Sequence, residues 1–184
     1  MIKLTKDEFI ANLIGYKSYI LKNKLDLNII KRLRPPFFAS YKSPKKIIIP
    51  KKNNKFTIKK NSLLVNFERK YKKNYPVYID CRESKKKDLP QLKNITYEDS
   101  SNSRFTRDPL IPKKFKKDYR KEWLLNFFKR KRGDHLIVAY KRNIIMGFIL
   151  IIKKSLDSSY QIDLIVTAKK HQKKKVGTSL INYV

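Results

Sequence analysis

The chain has 184 residues, of which 46 are Lys or Arg and 15 are Asp or Glu, so its formal net charge is +31. Hydrophobic residues make up 41% of it and aromatic residues 12%, which excludes a wholly disordered chain and allows a domain with a real core. The single cysteine excludes an internal disulfide, no apolar run is long enough to span a bilayer, and no signal peptide is recognisable, so we expect a cytoplasmic protein.

The positive charge has two interpretations. A strongly basic protein attracts polyanions, nucleic acid among them. The lysines are spread over the whole length, however, and they accompany many Asn and Ile residues and few Gly. An A/T-rich coding sequence produces that joint bias without any polyanion partner. Charge alone therefore leaves a basic nucleic-acid-binding module open as an alternative.

The first 75 residues carry no motif to which chemistry can be attached. Residues 1 to about 34 repeat apolar side chains at three- and four-residue steps, which predicts a helix that ends at Arg34-Pro35-Pro36. Residues 46–49 and 62–67 have the composition of short strands. We predict that residues 1–75 are an N-terminal α/β extension, of unknown role, to a domain over residues 76–184.

The remainder alternates strand and helix patterns. The predicted strands are residues 76–81, 135–140, 145–152 and 160–167. The predicted helices are residues 88–97, residues 116–129 and a last one that begins at Val176. Lys141-Arg142-Asn143 is short enough to join the second and third strands as a hairpin. The continuous aliphatic run of the third strand is typical of a central strand buried on both faces.

Several single residues invite a chemical role and have a simpler interpretation. Cys81 has no nearby base and is predicted to be a buried strand residue. His135 and His171 flank strands and are predicted to lie at the surface, and with one cysteine they make a zinc site improbable. Trp123 lies at helical spacing in an apolar stripe, so we interpret it as core, with a sugar-binding platform as the alternative.

Two stretches carry a family resemblance. The first is "MGFILI" in the hairpin, and the second is "IDLIVTAKKHQKKKVGTSLI", a strand followed by a basic loop and a helix start. In this order they resemble the GNAT superfamily of acetyl-CoA-dependent N-acetyltransferases, whose fourth strand leads into a Gln/Arg-x-x-Gly-x-Gly/Ala loop. Gln172 takes the Gln/Arg position and Gly177 that of the final glycine. Lys175 replaces the first glycine, and Thr167 stands where a Val commonly closes the strand.

The resemblance implies a fold and a cofactor. The fold is mixed α/β (α+β), with a sheet splayed at its centre and flanked by helices, and acetyl-CoA is the co-substrate. Backbone groups at the end of a strand would hold its pantetheine arm: Ile165, Val166 and Thr167. The loop and the positive end of the next helix would hold its pyrophosphate, through Gln172, Lys173, Lys174, Lys175, Val176, Gly177 and Thr178. Because lysine enters strained dihedrals at greater cost than glycine, Lys175 makes a close backbone approach more costly.

A finer resemblance concerns the acceptor. Ser103-Arg104-Phe105 and the helix "YRKEWLLNFF" look like the dTDP-fucosamine acetyltransferase type, which acts on amino sugars attached to nucleotides. This implies transfer to a primary amine, with Arg104 and Phe105 as substrate contacts. Arg104 would either meet a substrate phosphate or anchor its loop to a carboxylate. Asp163 would either assist deprotonation of the amine, or face solvent or pair with a lysine.

The family's domain continues with further strands and a helix after the element that begins at Val176. The resemblance therefore implies a domain truncated after its third helix, without the tyrosine that often serves as general acid, and we assign no catalytic residue. We expect weak or undetectable activity from this chain alone. We also expect an exposed sheet edge that a complementing chain or a second copy would cover. An inactive structural remnant remains a further alternative.

Overall fold

The computed structural model describes residues 4–21, 37–41, 75–98, 106, 111, 119–154 and 159–184. In the N-terminal part, a small sheet has the order β1-β2-β3, with β1 antiparallel and β3 parallel to β2. Its strands are β1 (Thr5–Lys6), β2 (Lys17–Leu21) and β3 (Phe37–Tyr41). Helix α1 (Glu8–Ile14) lies between β1 and β2 in the chain.

Helix α1 is short because both of its ends are capped. The Asp7 carboxylate accepts a hydrogen bond from the Ile10 N–H at 3.0 Å. Gly15, at φ +81°, ends the helix by donating its N–H to the Ala11 carbonyl. The prediction of a single helix over residues 1–34 is therefore wrong, because Lys17–Leu21 form strand β2. The remainder of that predicted helix, residues 22–34, lies outside the described residues, as do the predicted strands at 46–49 and 62–67.

The larger sheet has the order β4-β5-β6-β7 with every neighbouring pair antiparallel. Its strands are β4 (Cys81–Glu83), β5 (His135–Lys141), β6 (Ile144–Lys153) and β7 (Tyr160–Thr167). The strands predicted at 135–140, 145–152 and 160–167 are confirmed. The hairpin turn is tighter than predicted: only Arg142 and Asn143 connect β5 to β6, both at positive φ, the geometry of a two-residue turn that matches strand twist.

Strand β6 is central, as its aliphatic run predicted. Residues 145–150 are all buried, and β5 and β7 flank the strand on its two sides. One face of the sheet packs against α2 (Leu89–Glu98) and α3 (Tyr119–Phe128), and the other against α4 (Val176–Tyr183). The predicted mixed α/β architecture, with sheets flanked by helices, is confirmed.

Gly147 allows β6, β7 and α4 to meet closely. A Cβ atom added at this position would lie 2.7 Å from the Val166 carbonyl oxygen and 2.9 Å from Cγ1 of Val176. Real Cβ atoms do not approach a backbone oxygen that closely, so only glycine fits without a shift. The glycine of the "MGFILI" stretch therefore sets the distance between the central strand and the elements that follow it.

The strand predicted at residues 76–81 begins later than expected, because regular pairing starts at Cys81. Upstream, the N–H groups of Tyr78 and Ile79 donate to Oγ of Ser179 on α4, at 3.0 and 3.1 Å. The side-chain amide of Asn182 donates to the Pro76 carbonyl at 2.8 Å. The N–H groups of this segment therefore bond to a helix and not to a neighbouring strand.

Helix α2 is anchored to β4 by an ion pair. The Arg82 guanidinium donates to both carboxylate oxygens of Asp88, at 2.7 and 3.0 Å, and the Lys85 N–H donates to the same carboxylate at 2.8 Å. These bonds favour the ionised form, so they hold the pKa of Asp88 below its usual value, with the Arg82 bond as the largest cause. The helix predicted at 88–97 is confirmed, with Pro90 in its first turn.

The N-terminal part also contacts the domain that follows it. Ile10 and Ile14 pack with Tyr119 in one buried cluster, and the ring of Phe9 stacks on that of Trp123 at 6.2 Å. Trp123 packs against the core of the larger sheet, in agreement with its interpretation as core. The division between residues 75 and 76 stays a prediction. Among the described residues, no helix has the length and apolarity that crossing a membrane requires.

Candidate functional site

The stretch from β7 to α4 is a tight basic turn. After Thr167 the chain makes one 3-10 turn (Lys169–His171) and then a four-residue turn that enters α4 at Val176. Lys173 and Lys175 both adopt left-handed conformations, at φ +60°. From Leu164 onward the chain contains no Asp or Glu. The end of β7 therefore carries a concentrated positive potential.

The first turn of α4 presents open backbone donors. The first hydrogen bond of the helix runs from the Ser179 N–H to the Lys175 carbonyl at 2.9 Å. The N–H groups of Val176, Gly177 and Thr178 consequently have no acceptor within the helix. Such groups, together with the helix dipole, form an anion-binding surface.

Lys175 adopts a left-handed backbone conformation. It precedes α4 at φ +60° and ψ +13°, a conformation that glycine enters at lower cost than lysine. A left-handed conformation costs a non-glycine residue roughly 1–2 kcal/mol. The Lys175 ammonium lies 4.0 Å from the centroid of the Tyr78 ring, which offsets part of that cost through a cation–π interaction.

Gly177 is not required by the packing of the chain. A Cβ atom added there would meet only Oγ1 of Thr167, at an ordinary 3.9 Å, and the φ of Gly177 is not positive. The missing side chain instead leaves open space beside the N–H groups of the first helical turn. Close approach of a ligand to the backbone is one of the recurring reasons for a glycine.

The remaining predicted cofactor residues divide into two groups. Val166 and Val176 are buried in the two halves of the core, so only their backbone atoms can reach a ligand. Ile165, Thr167 and Gly177 are partly exposed. The exposed members all lie in the turn or the first helical turn: Gln172, Lys173, Lys174, Lys175 and Thr178. The structure thus brings all ten predicted cofactor residues to one end of β7.

Strand β7 is the last strand of the larger sheet within the described residues. Backbone N–H and C=O groups on its outer side are therefore not paired by another described strand. Tyr160 and Ile162 in its first half are exposed apolar side chains. An extended chain or a peptide-like ligand arm can pair with this edge.

Asp163 is neither turned to solvent nor paired with a lysine, contrary to the sequence-based expectation. It is the extra residue of a bulge, because Leu150 pairs with Leu164 whereas Ile151 pairs with Ile162. Its carboxylate accepts two hydrogen bonds from Arg132, both of 2.6 Å, and its side chain is only 6% exposed. The carboxylate raises the pKa of Arg132 above its usual value by hydrogen bonding.

The predicted acceptor contacts, Arg104 and Phe105, lie outside the described residues. Cys81 is half-buried and donates to the Ile79 carbonyl. Burial, reinforced by the charge of Asp80, raises the pKa of its thiol to about 11, which favours the unreactive neutral form. His135 is exposed and pairs with Glu83 at 2.8 Å. These geometries do not support a nucleophilic role for Cys81.

Sequence reasoning missed two features of this site. The contact of Tyr78 with Lys175 and the bonds from Tyr78 and Ile79 to Ser179 join segments about 100 residues apart. No local pattern signals them, since a serine inside a helix is ordinarily neutral.

The family model for the acetyltransferase (GNAT) domain matches residues 91–184, just over half of the chain. The match includes β5, β6, β7, the basic turn and α4. The chain belongs to the GNAT acetyltransferase family. This assignment does not favour the alternative of a nucleic-acid-binding module.

Solved structures similar to this GNAT chain are remote in sequence. A GNAT acetyltransferase from Bacillus cereus is 15% identical, with 56% of this chain and 60% of that protein covered and a TM-score of 0.41. One from Brucella melitensis, solved with acetyl-CoA, is 15% identical, with coverages of 58% and 65% and a TM-score of 0.40. The PaiA N-acetyltransferase from Thermoplasma acidophilum, solved with coenzyme A, is 20% identical, with coverages of 56% and 67% and a TM-score of 0.41.

The GNAT chain spans less than two thirds of the length of the Bacillus and Brucella proteins. No curated protein sequence matches it significantly. Family membership therefore rests on the family model.

Proposed function

We propose that this chain is the cofactor-binding part of an acetyl-CoA-dependent N-acetyltransferase. The observation that carries the proposal is the entrance of α4, where three N–H groups without an acceptor in the helix, a glycine without a packing role and exposed lysines meet. They lie beside an edge of β7 that no other described strand covers. A diphosphate attached to a peptide-like arm matches that combination of donors, charge and edge.

Two groups of residues bind two different parts of acetyl-CoA. Residues 172–178 hold the pyrophosphate through backbone N–H groups and lysine ammonium groups. The outer edge of β7 at Ile165, Val166 and Thr167 pairs with the amides of the pantetheine arm. When bound, acetyl-CoA supplies an acetyl group activated as a thioester. The chain orients it along β7 and neutralises its phosphate charge.

The acceptor in this proposal is a primary amine, carried by an amino sugar on a nucleotide. Support comes from the resemblance of Ser103-Arg104-Phe105 to the dTDP-fucosamine acetyltransferase type. Arg104 and Phe105 are the proposed substrate contacts. Asp163 is not assigned as a base, because both of its oxygens are engaged by Arg132.

We further propose that turnover by this chain alone is weak or undetectable. The outer edge of β7 and the exposed Tyr160 and Ile162 favour a covering polypeptide, either a complementing chain or a second copy. The alternative is that the chain is an inactive structural remnant, which predicts that it does not bind coenzyme A.

Two measurements test the proposal separately. Isothermal titration and thermal unfolding with coenzyme A are expected to show saturable binding and a rise in Tm. Loss of binding when Gly177 becomes Val, with unfolding of the free protein unchanged, would locate the ligand at α4. An acetyl-transfer assay with amino-sugar nucleotides then tests turnover. Absence of any coenzyme A binding would refute the cofactor assignment, and robust turnover by the isolated chain would refute the need for a covering polypeptide.

A further inference from the structure

The ring of Tyr78 lies beside the basic turn without belonging to it. The residue is 49% exposed, although its side chain is a large aromatic one. The ammonium group of Lys175 covers the ring at 4.0 Å from its centroid. An exposed aromatic ring is thus placed next to the donors that open α4.

The position of Tyr78 is fixed by α4 itself. Its N–H donates to Oγ of Ser179 at 3.0 Å, and the Ser179 hydroxyl donates in turn to the Lys175 carbonyl at 3.0 Å. Asn182, one turn further along the helix, holds the Pro76 carbonyl. The backbone of residues 76–79 is therefore attached to the same helix that presents the open N–H groups, so the Tyr78 backbone is held beside those donors.

A ring and a cation in this arrangement suit a planar heteroaromatic base that carries phosphate. Bases stack on exposed aromatic side chains, and a lysine beside the ring can pair with phosphate oxygens. Lys175 already joins the two halves of such a site, because its backbone precedes α4 and its ammonium lies on the Tyr78 ring.

We propose that Tyr78 is the stacking platform for the adenine base of the cofactor and that Lys175 pairs with a phosphate of the same nucleotide. This inference rests on the proposed function, which places the diphosphate at α4. It assigns the segment before β4 to ligand binding. The protein then contacts the cofactor along its whole length, from the pantetheine arm on β7 to the adenine base on Tyr78.

Fragments of coenzyme A separate this inference from the proposed function. Adenosine 3′,5′-bisphosphate contains the base without the arm, and pantetheine 4′-phosphate contains the arm without the base. Replacing Tyr78 with Ala is expected to weaken coenzyme A and the bisphosphate by about tenfold, the usual loss for one stacked base. The affinity of pantetheine 4′-phosphate is expected to stay unchanged. Tyr78→Phe keeps a stacking ring and is expected to bind all three ligands as the unchanged protein does.

Tyr97, an exposed tyrosine on α2, provides the matched control, since Tyr97→Ala removes the same kind of side chain from a helix that is not part of the proposed site. Unchanged affinity for coenzyme A in Tyr78→Ala would overturn the inference and leave the proposed function intact. Equal losses for coenzyme A and pantetheine 4′-phosphate would also overturn it, because Tyr78 would then support the turn rather than the base. No binding of coenzyme A by the unchanged protein would remove the proposed function and this inference together.

Discussion

Arg132 and Asp163 join the segment after α3 to the bulge of β7 through two hydrogen bonds of 2.6 Å. The Arg132 guanidinium also lies 4.9 Å from the centroid of the Trp123 ring. One side chain thus links the edge strand to the apolar face of α3. The planar fork of arginine matches a carboxylate in a way that the lysine expected from sequence cannot.

Separate substitutions of Arg132 by Gln and of Asp163 by Asn are expected to destabilise the protein by about 1–3 kcal/mol each. The first leaves a buried carboxylate without its charged partner, and the second does the same to a partly exposed guanidinium. The double variant is expected to lose clearly less than the sum of the two. Urea unfolding of the four proteins measures this coupling. Strictly additive losses would mean that the two residues do not stabilise the fold through each other.

The ion pair of Arg82 with Asp88 predicts a stability that depends on acid pH. The folded state lowers the pKa of Asp88, so the carboxylate stabilises the fold above its unfolded pKa of about 3.9. That contribution is lost as the pH falls below about 4 and through the folded value. The difference in unfolding free energy between the unchanged protein and Asp88→Asn is therefore expected to be large at pH 7 and to shrink toward pH 3.

Chemical unfolding of both proteins across this range checks the expectation. Asp134→Asn is a suitable control, because it removes a carboxylate that accepts only an exposed hydrogen bond from the Lys153 N–H. A constant difference between pH 7 and pH 3 for Asp88→Asn would show that its charge is not the source of the stabilisation.

Substitution by alanine is expected to have opposite effects on stability at Gly147 and at Gly177. Gly147→Ala is expected to destabilise the protein by about 1–3 kcal/mol, because its Cβ would press on the Val166 carbonyl and force strands apart. Gly177→Ala is expected to keep or raise stability, by up to about 1 kcal/mol, since alanine favours a helix. Thermal unfolding distinguishes them. The proposed cofactor site adds that Gly177→Ala weakens coenzyme A by roughly tenfold, equivalent to about one hydrogen bond.

The left-handed conformation of Lys175 predicts that glycine stabilises this position. Lys175→Gly is expected to gain about 0.5 kcal/mol, because relief of the left-handed strain outweighs the greater freedom of glycine in the unfolded chain and the loss of the cation–π contact with Tyr78. Lys174→Gly, one residue earlier and not at positive φ, is expected to lose a similar amount. If both substitutions change the unfolding free energy in the same direction, the strain at Lys175 is contradicted.

Much of the larger sheet could be predicted from pattern because its signals are local. The aliphatic run of β6 identified the central strand, and the hairpin-sized loop identified its neighbour β5. The strand, basic turn and helix start from Tyr160 onward carried the family resemblance. The N-terminal helix was predicted too long, because apolar spacing continued past Gly15 while the left-handed glycine ended the helix and β2 took the next residues.

Local periodicity and turn chemistry were enough to predict most of the strands and helices that the structure describes between residues 81 and 184, and they predict an anion site at the turn before α4. Tertiary structure alone decided which side chains meet: Arg132 with Asp163, Ser179 with the segment before β4, and Tyr78 with Lys175. Backbone conformation depends mainly on neighbouring residues in the chain. Contacts between distant segments depend instead on how the whole sheet closes around its core, and no local pattern records that.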